Sequence, residues 1–298
     1  MIELCSVTKM FGSLAALDGI SLKIDSGNVL GLVGSNGSGK STMLRLMSGV
    51  FEADDGEIMI DGEDSFENTN AKEKVFFVSD YPYFYNDSTI KNTADLYRRL
   101  YSSWSEEKYS YLCSLFPINT NQRIINMSKG MQRQAALILA LSCCPKYLLL
   151  DEIFDGLDPV IRMLVKKLII EDVSNGMSVV IASHNLRELE DLCDHVALLH
   201  HGKLLFYNEL DETKMGITKL QAAFSVPPTN ADMAQFEILN ANMHGQLYNL
   251  IVRGGQDEVL SKIRTLNPVF AEALPLTLEE VFIYEMEVAG YDISNIIG

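Results

Sequence analysis

The apolar positions of this chain fall into short runs bounded by glycine and acidic residues, interrupted once by a long segment of helical character. Leu4 to Val7, Ser21 to Ile24 and Val29-Leu30-Gly31-Leu32-Val33 read as strands, with β-branched and aliphatic residues between turn formers. Thr42-Met43-Leu44-Arg45-Leu46-Met47 reads as a helix. A polar stretch, Gly62 to Lys74, leads into the strand-like Val75-Phe76-Phe77-Val78, and residues 81–144 then turn aromatic and helical, which predicts an inserted helical subdomain. Tyr147-Leu148-Leu149-Leu150 is continuously apolar and ends in Asp151-Glu152, the pattern of a central parallel strand buried on both faces; Ser178 to Ala182 repeats it. Val196 to Tyr207, broken by His201-Gly202, predicts a hairpin that closes the core. The organisation loosens beyond about Leu210. A strand-like Leu247 to Val252 and a helix opened by Thr277, with Glu280 three places on, predict a small accessory α/β domain over 213–298, separate from a main domain over 1–212.

One connection in this pattern carries chemistry. Gly34-Ser35-Asn36-Gly37-Ser38-Gly39-Lys40-Ser41, with Thr42 after it, joins the strand 29–33 to the helix that follows. Glycines there let successive N–H groups turn toward phosphate oxygens, and the positive end of the helix reinforces them. Lys40 can reach the β- and γ-phosphates and Ser41 a Mg²⁺ ion, so the chain is expected to bind a nucleoside triphosphate. Asp151, at the end of its apolar strand, supplies a hard oxygen for Mg²⁺, and the adjacent Glu152 can polarise an attacking water as general base.

Composition narrows the classes. With 298 residues and 47% hydrophobic content, the chain can bury a large core and an appendage. A net charge of −16 opposes phosphate backbones and anionic lipid, which argues against a nucleic-acid partner. Five cysteines, an odd number without metal-type spacing, fit a reducing cytoplasm. The uncharged stretch Gln134 to Pro145 falls well short of the roughly 20 apolar residues of a membrane span, so neither a span nor a signal peptide is expected.

Further motifs then bring a family into view. Met127-Ser128-Lys129-Gly130-Met131-Gln132-Arg133-Gln134, about twenty residues before the acidic pair, resembles the signature of the ATP-binding cassette family. Phe154-Asp155-Gly156-Leu157-Asp158-Pro159 resembles the loop that contacts the opposite subunit, and Val179-Val180-Ile181-Ala182-Ser183-His184 the strand ending in a switch histidine. Phe11, in Lys9-Met10-Phe11-Gly12, matches the aromatic that stacks on adenine, core packing being its other reading. The resemblance implies a RecA-like P-loop NTPase core with an antiparallel β subdomain and a helical insert. It also implies ATP and Mg²⁺ as cofactors, and two cassettes sandwiching two ATP molecules, with Ser128 and Gly130 closing over the γ-phosphate held by the partner and His184 sensing that phosphate. Asp80 stands where the family usually has Gln, a charged ligand on a shorter stem beside Asp151 and Glu152, which predicts altered metal affinity or coupling.

Leu276-Thr277-Leu278-Glu279-Glu280-Val281-Phe282 looks like the closing helix of bacterial drug- and bacitracin-type export ATPases. The expected function is therefore the ATP-hydrolysing subunit of a transporter, with export favoured over import. It would sit on the inner face of the cell membrane through separate permease subunits and pair with an identical or a second ATPase subunit. The aromatic Tyr81 to Tyr85 would meet the permease or belong to the subdomain core. A soluble mechanochemical ATPase acting on ribosomes or DNA is the rival reading, weakened by the single cassette, the lack of sustained heptads and the acidic balance.

Overall fold

The computed structural model describes residues 1–210 and 216–288, in two compact units, Met1–Tyr207 and Asn208–Gly298. The expected boundary at 212/213 falls outside the described residues. In the first unit, strands β1 (Ile2–Phe11), β2 (Leu14–Ile24), β4 (Asp55–Ile60) and β5 (Glu63–Asp64) form a four-stranded sheet of order β2-β1-β4-β5, antiparallel throughout. A second, six-stranded sheet has β3 (Val29–Val33), β6 (Val75–Val78), β7 (Tyr147–Asp151), β8 (Ser178–Ala182), β9 (His195–His200) and β10 (Lys203–Glu209) in the order β10-β9-β3-β8-β7-β6. The pairs β9-β3, β3-β8, β8-β7 and β7-β6 are all parallel. Every residue of β3, β7 and β8 is buried, as parallel strands covered on both faces require. β9 and β10 join through His201 and Gly202, at φ 45° and 75°, two left-handed positions of the kind a tight hairpin turn uses.

Helix α1 (Lys40–Met47) lies in the core shared by the two sheets. Its Met43, Leu44, Leu46 and Met47 pack in one cluster with Ile2, Leu4 and Ile20 of the antiparallel sheet and with Leu30, Leu149 and Val180 of the parallel one. Burying four large side chains at about 1.5–3 kcal/mol each anchors this helix, and with it the loop before it. The polar stretch 62–74 is more ordered than its composition suggests. It holds β5 and a short helix, α2 (Thr69–Glu73), capped by the Asn68 side chain accepting from the Asn70 and Ala71 amides at 3.0 and 3.2 Å.

Between β6 and β7 the chain leaves the sheet to form α3 (Ile90–Leu100), α4 (Glu106–Leu115) and α5 (Lys129–Ser142). The Thr89 and Asn92 side chains close a reciprocal capping box at the start of α3. α5 is the buried helix of the insert, with Ala135 to Leu141 all in the core. The segment before α3 corrects one reading of the aromatics: Tyr81, Tyr83 and Tyr85 are 70, 81 and 66% exposed, so these three are surface and not core.

The second unit has β11 (Ile217–Ala223), α8 (Asn230–Met233), β12 (Ile238–His244), β13 (Leu247–Arg253), α9 (Gln256–Arg264) and β14 (Phe270–Leu274), following α6 (Pro159–Ser174) and α7 (Leu186–Glu190) of the first. The sheet order β12-β13-β11-β14 with antiparallel neighbours makes it a βαββαβ ferredoxin-like fold. Alternation along β11 and β13 splits the apolar residues between the two faces. Leu220, Ala222, Leu250 and Val252 pack with Val259 and Ile263 of α9, while Ile217 and Ile251 pack with Val281 and Ile283 of α10 (Leu278–Val288). Thr277 and Glu280 make the capping box that starts α10, the Thr277 amide donating to Glu280 at 3.0 Å and the Glu280 amide to Thr277 at 3.3 Å.

A carboxylate ties the two sheets of the first unit together. Asp61, in the turn between β4 and β5, accepts from the Lys146 ammonium at 2.9 Å, from the Tyr147 hydroxyl of β7 at 2.7 Å and from the Met1 amine at 2.8 Å. Burial pushes its pKa up, but these donors outweigh burial and hold it well below the usual carboxylate range. A depressed carboxylate stabilises the fold above its unfolded pKa, near 3.8, and that contribution is lost as pH falls through the folded value. Asp61→Asn is therefore expected to lower the melting temperature of the first unit by about 2–4 °C at pH 7, with the gap to wild type closing progressively below about pH 4, as followed by circular dichroism.

Candidate functional site

Parallel register decides where the chemistry collects. Because β3, β6, β7 and β8 run in one direction, with Leu32 beside Ala182, Asp151 beside Ala182 and Val78 beside Leu150, the residues that follow each strand emerge at the same sheet edge. That edge carries the loop 34–41, Asp80, Asp151-Glu152 and Ser183-His184, the crevice where open α/β sheets place ligands. A cleft of about 400 Å³ opens there, lined by Phe11, by Asn36, Gly37, Ser38, Gly39, Lys40, Ser41 and Thr42, and by Asp80, Glu152 and His201. That volume lies in the range of small-molecule sites.

The loop holds a shape that only glycine permits at two of its positions. Gly34 sits at φ 152°, and a Cβ there would lie 2.2 Å from the Leu199 carbonyl oxygen. Gly39, at φ 112°, would place one 2.5 Å from the Ala16 oxygen. Inside the loop, Lys40 donates to the Gly34 carbonyl at 2.7 Å and to the Ser35 carbonyl at 3.3 Å, and its side chain is buried. Burial lowers the lysine pKa, while the carboxylates of Glu152 and Asp151 pull it back up. The ammonium is thus held by carbonyl dipoles that an anionic ligand would outcompete.

Asp151 is 0% exposed, and among the described residues neither of its carboxylate oxygens has a partner in good hydrogen-bond geometry. Burial drives its pKa up; the Ser41 hydroxyl beside it opposes this in part, and the Asp80 and Glu152 charges add to it. A desolvated carboxylate with hard oxygens around it, from Ser41 and Asp80, is a donor set that fits Mg²⁺.

Glu152 adopts φ 47°, a left-handed conformation uncommon for a side chain of its size, with its amide bonded to the Ala182 carbonyl at 3.0 Å. Its Oε2 meets His184 Nδ1 at 3.0 Å and is 3.4 Å from the His184 amide. His184 is largely exposed and reaches the cleft only through Glu152, since it is not among the lining residues. Phe11 is 46% exposed and meets Phe51 edge-on at 5.7 Å, leaving part of the ring open at the cleft mouth.

Ser128 and Gly130 lie at the start of α5 and do not line this cleft. The exposed Ser128 caps the helix, accepting from the Met131 amide at 3.3 Å. Gly130 packs so tightly on the 155–157 loop that a Cβ would fall 2.7 Å from the Gly156 oxygen. Sequence reasoning passed over two residues here. Arg133 donates through Nη1 to the Asp155 carbonyl and through Nη2 to the Asp80 carbonyl at 3.1 Å, joining the helical insert to two loops of the site. His201 enters the cleft from the hairpin turn. Arg133 was visible inside the signature-like motif, but its partners are 22 and 53 residues away; His201 gave no signal beyond its turn.

Comparison with known proteins points one way. The ABC transporter family profile matches residues 17–155. The ABC transporter ATP-binding protein YtrB of Bacillus subtilis is 32% identical over 284 residues, 95% of this chain and 97% of its own length. The bacitracin transport ATP-binding protein BcrA of Bacillus licheniformis is 29% identical, covering 72% of this chain and 71% of its own. A solved ATP-binding subunit of an ABC transporter superposes with a TM-score of 0.67 at 24% identity, over 72% of this chain and 92% of that one.

Two expectations test the metal geometry. Asp151→Asn removes a buried unpaired charge, so the nucleotide-free protein is expected to melt about 2–4 °C higher while Mg²⁺-dependent hydrolysis of ATP falls by at least about 100-fold. Asp80→Gln is expected to raise the Mg²⁺ needed for half-maximal hydrolysis by up to about tenfold, or 1.4 kcal/mol; superimposable titrations would remove Asp80 from the metal's surroundings.

Proposed function

The chain belongs to the family of ABC transporter ATP-binding proteins and is an ATPase of that family, and from that premise we propose that it drives export through separate membrane-spanning subunits. The observation that carries this reading is the single sheet edge where the phosphate-type loop, a buried unpaired Asp151 and the poised Glu152 meet. There the loop amides and Lys40 bind the β- and γ-phosphates. Ser41 and Asp151, with Asp80 facing them, hold Mg²⁺, which neutralises phosphate charge when bound. Glu152 accepts the proton of the attacking water, and the His184 imidazole fixes the carboxylate on that side. Phe11 offers its open face to the adenine.

Ser128 and Gly130 lie outside the cleft of their own chain, which is the arrangement expected if they close over the nucleotide of a second cassette, identical or not. No described helix is long and apolar enough to cross a membrane, which supports a pore built by other chains. The exposed Tyr81, Tyr83 and Tyr85 form the surface for those subunits, holding the ATPase at the inner face of the membrane. Export rests on the similarity to the bacitracin transport protein and to a Nod factor export ATP-binding protein of a Rhizobium species, 29% identical over 210 residues.

Glu152→Gln is expected to keep ATP binding, cut turnover by about 10²–10⁴-fold and accumulate an ATP-bound dimer, measured by phosphate release and light scattering. Hydrolysis at the wild-type rate would remove Glu152 from its role. Isolation of tagged protein from detergent-solubilised membranes is expected to recover a stoichiometric polytopic partner; ribosomal or DNA-associated partners would overturn the transport reading.

A further inference from the structure

Beside the cleft, the Glu152–His184 pair of the hydrolytic site is joined by a third side chain, Asp155, to which that chemistry gives no role. Glu152, Asp155 and His184 each present one ligand atom, and these atoms lie within 4.8 Å of one another. The Glu152 to His184 separation is 3.0 Å. Ligands on a tetrahedral Zn²⁺ with bonds of about 2.0–2.2 Å stand about 3.4 Å apart. Side-chain rotation of roughly 1–1.5 Å would thus bring all three into a coordination shell. His184 is exposed and Asp155 partly so, and both are free to make that adjustment.

Asp155 is the residue that makes this more than a glutamate–histidine pair. Its backbone is held, the carbonyl by Arg133 and the amide by the Glu152 carbonyl at 3.3 Å, so the carboxylate is aimed at the pair by the loop itself. The Arg133 guanidinium is spent on the carbonyls of Asp155 and Asp80, and among the described residues no hydrogen bond or ion pair reaches the Asp155 carboxylate. Two carboxylates therefore face one imidazole. That donor set suits a borderline transition metal and not Mg²⁺, which takes oxygen ligands and keeps its waters.

We propose that Glu152, Asp155 and His184 form an inhibitory site for Zn²⁺ or a similar transition-metal ion, separate from the Mg²⁺ position at Ser41 and Asp151. The metal occupies the Glu152 oxygen and the His184 nitrogen and so withdraws the general base from the attacking water. Nucleotide binding is spared, because Lys40, Ser41 and the loop amides contribute nothing to this shell. The inhibitory half of the proposal rests on Glu152 acting as the base; the binding half does not.

The test separates the two. Nucleotide-free wild-type protein is titrated with Zn²⁺ against a chromophoric chelator, and with Co²⁺ followed by absorbance. One ion is expected per chain, with visible d–d bands of tetrahedral type and no thiolate charge-transfer band, which distinguishes the triad from the free cysteines. His184→Gln and Asp155→Asn, both at accessible positions, are each expected to weaken binding by at least about 10–100-fold. In the wild type, micromolar Zn²⁺ is expected to suppress ATP turnover, reversibly with chelator, without changing the affinity for a fluorescent ATP analogue. Unchanged Zn²⁺ affinity in both variants, or a thiolate band in the Co²⁺ spectrum, overturns the site. Zn²⁺ binding that leaves wild-type turnover intact overturns the inhibition. A wild-type protein that binds Zn²⁺ at the triad but hydrolyses no ATP supports the site and counts against the proposed function alone.

Discussion

The first unit is arranged around one buried charge, the Asp151 carboxylate, that no cation pairs among the described residues. Asp151 sits at the end of a strand buried on both faces, with only the Ser41 hydroxyl beside it and, among the described residues, no well-formed hydrogen bond to either oxygen. Leaving a carboxylate so desolvated costs several kcal/mol unless a cation answers it. The surrounding fold accepts that cost because the same parallel strands that bury Asp151 bring Ser41, Asp80 and Glu152 to its side. Stability is given up at one point so that metal and phosphate are favoured there, the usual relation between strain and function in such sites.

Backbone strain serves the same end. Glu152 is held in a left-handed conformation by the neighbouring strand, and Gly34 and Gly39 take torsions closed to other residues because carbonyl groups crowd the space where their Cβ atoms would stand. Neither device gives way easily, since α1 is anchored by four buried side chains in a core that spans both sheets. The site is therefore built on a well-anchored part of the chain.

Much of this was legible from the residues. The phosphate-type loop, the acidic pair after an apolar strand and the hairpin at His201-Gly202 are local patterns, and local patterns survive in a linear string. The Thr277–Glu280 cap was readable for the same reason. What the string withheld was whatever depends on distant partners. Nothing near Arg133 announces that it will hold the carbonyls of Asp80 and Asp155, and nothing in the tyrosine-rich 81–85 segment tells surface from core. The ferredoxin-like order of the second unit was hidden because its first helix is four residues long and several of its strands are half-exposed, so neither period stands out. The helix α2 was missed because four polar residues around a single small apolar one, Ala71, held by one asparagine cap, carry no helical apolar period.

Arg133 has a mechanical implication. A single guanidinium fastens the insert both to the loop bearing Asp80, which touches the cleft, and to the loop bearing Asp155, which packs on Gly130. The guanidinium thus makes the two loops neighbours in mechanics as well as in space: any displacement of α5 that keeps both hydrogen bonds carries the Asp80 loop and the 155–157 loop with it.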